Sequence, residues 1–227
     1  MRRLTQENRH VEPSTEARQR MVEQQLRARG IDDARVLEAM GRLPREAFVP
    51  PALAERAYDD RALPVGHGAT LSQPYMVAAM TQALDVVPGA RVLEIGTGTG
   101  YQTAVLELLG AEVWSVERVP ALAAEAAERL RALGLDTHLH IREGDGSLGW
   151  PDKAPFDRIL VTAGAPRVPP ALLAQLSADG GVLVAPVGTR SHQNLVRLRR
   201  SGTEFEREVL MGCQFVPLVG EGGWFSA

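Results

Sequence analysis

One cysteine, Cys213, stands in a chain of 227 residues. No internal disulfide can form from it, and no cysteine-only metal cage can be built. So little thiol fits a reducing compartment, and the chain is expected to be cytoplasmic. Long hydrophobic runs are missing too: no apolar stretch approaches the ~20 residues that span a bilayer. The opening MRRLTQENRHVEPSTEARQR has paired arginines with no apolar core behind them, so it does not read as a signal peptide. A formal charge of −3 gives no electrostatic case for nucleic acid as the partner, and no membrane partner is expected. A last absence is local. From Gly66 to Pro74, GHGATLSQP, there is no Asp, Glu, Lys or Arg, although 23% of the chain is charged.

What is present is enough to build a core, since 44% of the residues are hydrophobic. The length suits one domain. Residues 1–14 are polar and patternless and are expected to form a mobile tail. A single domain over 15–227 is expected, with a helical cap (15–65), an active-site loop and helix (66–84) and a sheet core (85–227). In the cap, a helix from about Thr15 carries Met21, Val22, Gln25 and Leu26 on one side and stops at Gly30. A second begins at Asp32 or Asp33 with Val36, Leu37 and Met40 inward. LPREAFVPP then breaks the helical pattern.

Beyond Arg91 the texture alternates. RVLEIG, EVWSVER, THLHIREGD, FDRILVTAGA and GGVLVAPVG read as strands, with helical stretches such as VPALAAEAAERLRALG between them. Such alternation implies an α/β fold, a Rossmann-like, mostly parallel, doubly wound sheet covered on both faces. NLVRLRRSG and EFEREVLMGCQFVPLVG alternate around a Ser-Gly turn and are expected to close the sheet as an antiparallel pair.

VLEIGTGTGYQTAVL sets Gly96, Thr97, Gly98 and Gly100 between the first core strand and a helix. The spacing is G-x-G-x-G, and Tyr101 occupies the place of the third glycine in the dinucleotide fingerprint G-x-G-x-x-G. A nicotinamide oxidoreductase is therefore the poorer match. Glu94, beside a loop without basic residues, suits a cofactor carrying positive charge, such as the amino group and sulfonium of S-adenosylmethionine. Glu117, 21 residues after Gly96 at the end of the next strand, can accept from both ribose hydroxyls. Asp145, with the backbone amide of Gly146, follows the third strand where an adenine edge could be read. Three acids at three successive strand ends make S-adenosylmethionine the expected cofactor, and no metal is expected. His138 and His140 share a strand face without a third ligand.

RGIDDARVLEAMGRLPREAFVPP, GHGATLSQPYMVAAM, VLEIGTGTGYQTAVL, GDGSLGWPDKAPFDRILVTAGAPRVPPALLAQL and FVPLVGEGGW occur in this order. Together they resemble the protein-L-isoaspartate (D-aspartate) O-methyltransferase family, from about Arg18 to Trp224. The resemblance implies an S-adenosylmethionine-dependent methyltransferase fold. It also implies methyl transfer to the free carboxylate of L-isoaspartyl residues in damaged proteins and peptides, giving an ester that closes to a succinimide. Carried over, Ser72 faces the substrate carboxylate, with Ala69, Thr70, Leu71 and Val77 in the substrate wall. Ala69 and Leu71 stand where many bacterial members have glutamine and isoleucine.

The residues agree with that reading. Pro74 suits the first position of a helix, with Ser72 or Gln73 as its cap, and Met76, Val77, Met80 and Leu84 form the apolar face. Free backbone N–H groups at a helix start can receive a carboxylate. Charged neighbours would repel it or tie it up in a strong pair, which accounts for the uncharged segment. A carboxylate is already ionised at neutral pH, so no general base is needed. FVPLVGEGGW and Ala165–Val168 are the expected mouth for an extended peptide. His67 reads as a turn residue. A related aspartyl methyltransferase with a dedicated peptide substrate is the alternative, a non-catalytic binder of S-adenosylmethionine a further one, and a monomer is expected.

Overall fold

The computed structural model describes residues 8–225, with side chains from Ser14 onward. α1 spans Asn8–Arg20, so residues 8–14, expected to be tail, are helical; residues 1–7 of that tail lie outside the described residues. The helix widens into a π turn over Met21–Leu26, which puts Met21, Val22 and Leu26 into the core. Gly30 ends it in the left-handed region, at φ 88°. α2 (Ala34–Arg42) starts where expected: the Asp33 carboxylate accepts from Arg35 N at 2.9 Å and Val36 N at 3.4 Å. Short 3₁₀ turns follow through the proline-rich stretch.

The segment expected to be a loop is partly a β-hairpin. β1 (Leu63–Gly66) pairs antiparallel with β2 (Ala69–Leu71). His67 and Gly68 make the two-residue turn at φ 52° and 71°, the left-handed pair that a tight hairpin requires. α3 (Pro74–Leu84) follows with proline in its first turn and Gln73 at the cap position. Val77, Met80 and Leu84 are buried, while Met76 is only partly so.

Seven strands form the main sheet: β3 (Arg91–Ile95), β4 (Glu112–Glu117), β5 (Leu139–Glu143), β6 (Arg158–Val161), β7 (Asp179–Gly188), β8 (Gln193–Ser201) and β9 (Glu204–Cys213). Their order is β5-β4-β3-β6-β7-β8-β9. The first five pair in parallel. β8 and β9 close the edge antiparallel, as the alternation predicts. α4 (Tyr101–Leu108), α5 (Pro120–Ala132) and α6 (Pro170–Gln175) make the crossovers. Successive strand residues face opposite layers: Val92 joins the core under α2, α3 and α4, while Leu93 and Ile95 join the second core with Trp114 and Ile159. Arg199 of β8 is exposed. Arg197 pairs with Glu208 at 2.5 Å, and Arg200 donates to the carbonyls of Leu173 and Leu176. Among the described residues, no helix is long and apolar enough to cross a membrane.

Candidate active site

The order of the sheet reverses between β3 and β6, the position where open parallel sheets bind ligands at their carboxyl ends. A cavity of about 260 Å³ opens there, just below the usual span for a ligand site (roughly 300–1,000 Å³). Its floor is Ile95–Thr99 after β3, Val116–Val119 at the end of β4, Gly146 after β5, and Thr162 and Ala163 after β6. The hairpin and α3 contribute His67–Ser72, Val77 and Met80 from one side, and Val216–Val219 close the other.

The glycine loop has the form its composition implies. Gly96 sits at φ 95°, and a Cβ there would lie 2.5 Å from Thr162 Oγ1. Any larger residue would strain the backbone and force the floor apart. Gly98, at φ 54°, has nothing within 4 Å of the corresponding position and faces the cavity. Gly100 caps α4, against Leu130 and Ala126, and does not line the cavity; its role is packing.

Glu94 is placed differently from the expectation. It is fully buried beneath the loop and is not a wall of the cavity. Thr103 Oγ1 donates to its Oε2 at 2.6 Å and Ser115 Oγ at 2.7 Å. Thr97 Oγ1 lies 2.6 Å from Ser115 Oγ, so Thr97 is the donor of that pair and a hydroxyl relay links the loop to the carboxyl. Oε1 has no partner. Burial pushes the Glu94 pKa up from 4.5 to about 7; the two hydroxyls lower it in part, and nearby Glu117 raises it further. The folded state therefore holds a proton that the unfolded chain has released, and stability falls as pH rises. That contribution is complete below pH 4.5 and lost by about pH 7, worth roughly 3 kcal/mol at about 1.4 kcal/mol per unit. Glu94→Gln should flatten this slope. Urea unfolding of both proteins at several pH values measures it, and equal slopes would contradict the assignment.

Glu117 lines the cavity with 7% of its surface exposed. Its Oε2 accepts from Gly98 N and its Oε1 from Val119 N, both at 2.9 Å. A carboxylate has about four acceptor sites, so two remain for a ligand while the others hold the loop. Asp145 does not line the cavity, although Gly146 does. Its Oδ1 accepts from Ser147 N and Ser147 Oγ, and its Oδ2 from Glu221 N at 2.7 Å. Burial opposes its ionisation, but the bonds from Ser147 and Glu221 outweigh burial and hold its pKa below the ordinary value. Asp145 thus ties down the C-terminal segment above the cavity.

On the acceptor side, Ala69, Thr70, Leu71, Ser72 and Val77 all line the cavity. Gln73, not Ser72, is the helix cap, and among the described residues no side chain bonds the free N–H groups of α3. Among the described residues the Ser72 hydroxyl has no hydrogen-bond partner in the protein. Gln73 turns outward, donating to Asp60. Among the described residues the only basic ones on the lining are His67 and Arg118, and the only acid is Glu117. The donor set therefore fits S-adenosylmethionine: an acceptor carboxylate for hydroxyls, apolar walls at Ile95, Val116 and Leu122, and a loop free of competing cations. His140 stacks on Trp114 and meets Glu112 at 3.4 Å. Among the described residues no group of three or more His, Cys, Asp or Glu is arranged for a metal.

A profile of the protein-L-isoaspartate(D-aspartate) O-methyltransferase family matches residues 16–223. The chain belongs to that family. It is an S-adenosylmethionine-dependent methyltransferase. It is 55% identical over 200 residues to a protein-L-isoaspartate O-methyltransferase of Magnetococcus marinus, covering 88% of this chain and 87% of that one. A relative of the same name from Rhodopseudomonas palustris is 53% identical over 211 residues, covering 92% and 85%. Among solved structures, a protein-L-isoaspartate O-methyltransferase superposes with a TM-score of 0.80 at 27% identity, covering 91% of this chain and 67% of the other. A Plasmodium falciparum structure described as this kind of methyltransferase, in complex with S-adenosyl-L-homocysteine, superposes with a TM-score of 0.76 at 26% identity, covering 89% and 98%.

Within this family member the cavity also uses residues that the sequence reading did not single out. Thr162 and Ala163 directly follow β6 and border the same cavity as the glycine loop, so the strand-end rule that found Glu117 applies to them equally. Tyr101 and Gln102 open α4 and line the wall; Tyr101 drew notice only for the glycine it replaces. Of the two segments expected at the peptide mouth, Val216–Val219 line the cavity and Ala165–Val168 do not. Ala165 is buried, bridged to Val187.

Proposed function

We propose that the protein repairs damaged polypeptides by esterifying the free carboxylate of L-isoaspartyl residues, with Ser72 holding that carboxylate. The observation that carries the assignment is a hydroxyl that caps nothing and borders the same cavity as the glycine loop. S-adenosylmethionine, when bound, supplies an electrophilic methyl group on a sulfonium. Gly96, Thr97, Gly98 and Gly146 would line its site, and Glu117 would accept from its ribose hydroxyls. Glu94 supports that site from beneath the loop and Gly100 fixes the start of α4. Asp145 acts on the adenine end through the segment it anchors.

Ser72 and the N–H groups at the start of α3 donate to the acceptor carboxylate, and Ala69, Thr70, Leu71 and Val77 exclude water around it. They would hold one carboxylate oxygen in line with the methyl carbon that S-adenosylmethionine supplies, and the electron pair of the broken carbon–sulfur bond would return to sulfur. No proton has to move, because a carboxylate with pKa near 4 is already ionised. The ester then closes to a succinimide without help from the protein. We further propose that residues 15–227 work as one unit, monomeric and cytoplasmic, with neither nucleic acid nor membrane as partner. The net charge of −3 and the single cysteine support this.

Ser72→Ala should lower kcat/KM for an isoaspartyl peptide by about 10–30-fold, the value of one hydrogen bond to a charged group (roughly 1.5–2 kcal/mol). The Kd of S-adenosylhomocysteine, read by calorimetry, should stay within twofold. Unchanged turnover would remove Ser72 from the site.

A further inference from the structure

Arg45 is completely buried. Its guanidinium lies between the two halves of the site. Nε donates to Ala57 O and Nη2 to Ser72 O, each at 2.6 Å. The cation stands 4.9 Å from the centre of the Tyr101 ring, and Tyr101 lines the cavity at the start of α4. Among the described residues Arg45 forms no salt bridge, and its Nη1 has no partner. A buried cation without a counter-ion is costly, so its retention beside a reaction site suggests a role there.

Its position supplies one. The carbonyl of Ser72 and the N–H of Gln73 belong to one planar trans peptide and point in opposite directions. A cation on the carbonyl draws electrons toward that oxygen and makes the N–H on the far edge a stronger donor. Among the described residues the Gln73 N–H, like the Ser72 hydroxyl, donates to no group of the protein. We propose that Arg45 is a positioning residue for methyl transfer: it fixes and polarises the Ser72–Gln73 peptide, so that the start of α3 takes a carboxylate in preference to a neutral amide. This rests on the reading that Ser72 faces the acceptor carboxylate. The cation acts through the peptide and does not pair with the substrate, so it orients the nucleophile without tying up its oxygens.

The test compares the affinity of two peptides that differ only in carrying isoaspartate or its neutral amide, isoasparagine. Both are titrated by calorimetry into protein saturated with S-adenosylhomocysteine. In Arg45→Met the preference for the carboxylate should shrink about 30-fold (~2 kcal/mol at 1.4 kcal/mol per tenfold). Affinity for the amide peptide and for S-adenosylhomocysteine should stay within threefold. An unchanged preference, or a parallel fall in all three affinities, would overturn the proposal, the second because it marks a merely structural role.

Arg45→Lys keeps the charge and serves if the methionine variant does not fold. It should hold the preference within about threefold while slowing turnover, and a collapsed preference would overturn the electrostatic role. Ser72→Ala, run alongside, separates this proposal from the reading beneath it. Loss of preference in Ser72→Ala but not in Arg45→Met rejects Arg45 alone. A wild-type protein without preference for the carboxylate rejects both.

Discussion

Glu117→Ala is expected to weaken S-adenosylhomocysteine binding by about 100-fold or more. The side chain has two duties, and alanine ends both. It holds the backbone of Gly98 and Val119, which fixes the loop against β4, and it offers its remaining lone pairs to the ribose. Hydrogen bonds to a charged group are worth about 1.5–3 kcal/mol each. Losing two of them on the ligand side alone exceeds the 2.7 kcal/mol that a hundredfold change in Kd represents. Glu117→Gln keeps one carbonyl acceptor and should fall between, near tenfold. The unliganded alanine variant should also unfold at lower temperature, because two buried N–H groups lose their partners. Calorimetric titration of the three proteins reads the series directly. A Kd within threefold of wild type in Glu117→Ala would mean that the cofactor does not use the end of β4.

The contrast among the three strand-end acids shows what a sequence can carry. Glu94, Glu117 and Asp145 look alike as letters at or just past the ends of β3, β4 and β5, and the spacing points to the edge of the sheet where the cavity opens. It cannot say which carboxylate is turned into the cavity. Glu117 lines it. Glu94 is one residue short of the strand's end, and alternation along β3 directs it under the loop, toward hydroxyls on α4 and β4. Asp145 is claimed by Ser147 and by Glu221, 76 positions away, a contact no local pattern encodes. A Cβ on Gly220 would lie 2.0 Å from Asp145 Oδ1, so the closing segment reaches the carboxylate only because that residue is glycine.

The same limits apply elsewhere. Helix ends were legible where a local rule governs them, as at Asp33 and Gly30. The antiparallel edge was legible because β8 and β9 alternate around a Gly turn. The β1–β2 hairpin was not, since its strands have four and three residues and one contains proline. Arg45 was invisible for another reason: an arginine between proline and glutamate reads as surface, and only tertiary packing drives it inside.

The widest difference in rate should separate two peptides of identical composition, one isoaspartyl and the other its normal aspartyl twin. Both carry one ionised carboxylate, so electrostatics alone does not discriminate. They differ in where the main chain branches: in the isoaspartyl form the chain runs through the side-chain carbon, and the carboxylate stands one methylene closer to the branch point. The pocket between Ala69–Ser72 and Thr97–Thr99 is fixed by a hairpin and a glycine loop rather than by flexible side chains. A misplacement of about 1 Å can cost on the order of 100-fold in such a site. Tritiated S-adenosylmethionine with each peptide in turn reports this directly. Labelling of the isoaspartyl peptide at least about 100-fold faster than its twin is the predicted result; equal labelling of the two, or labelling of neither, would contradict it.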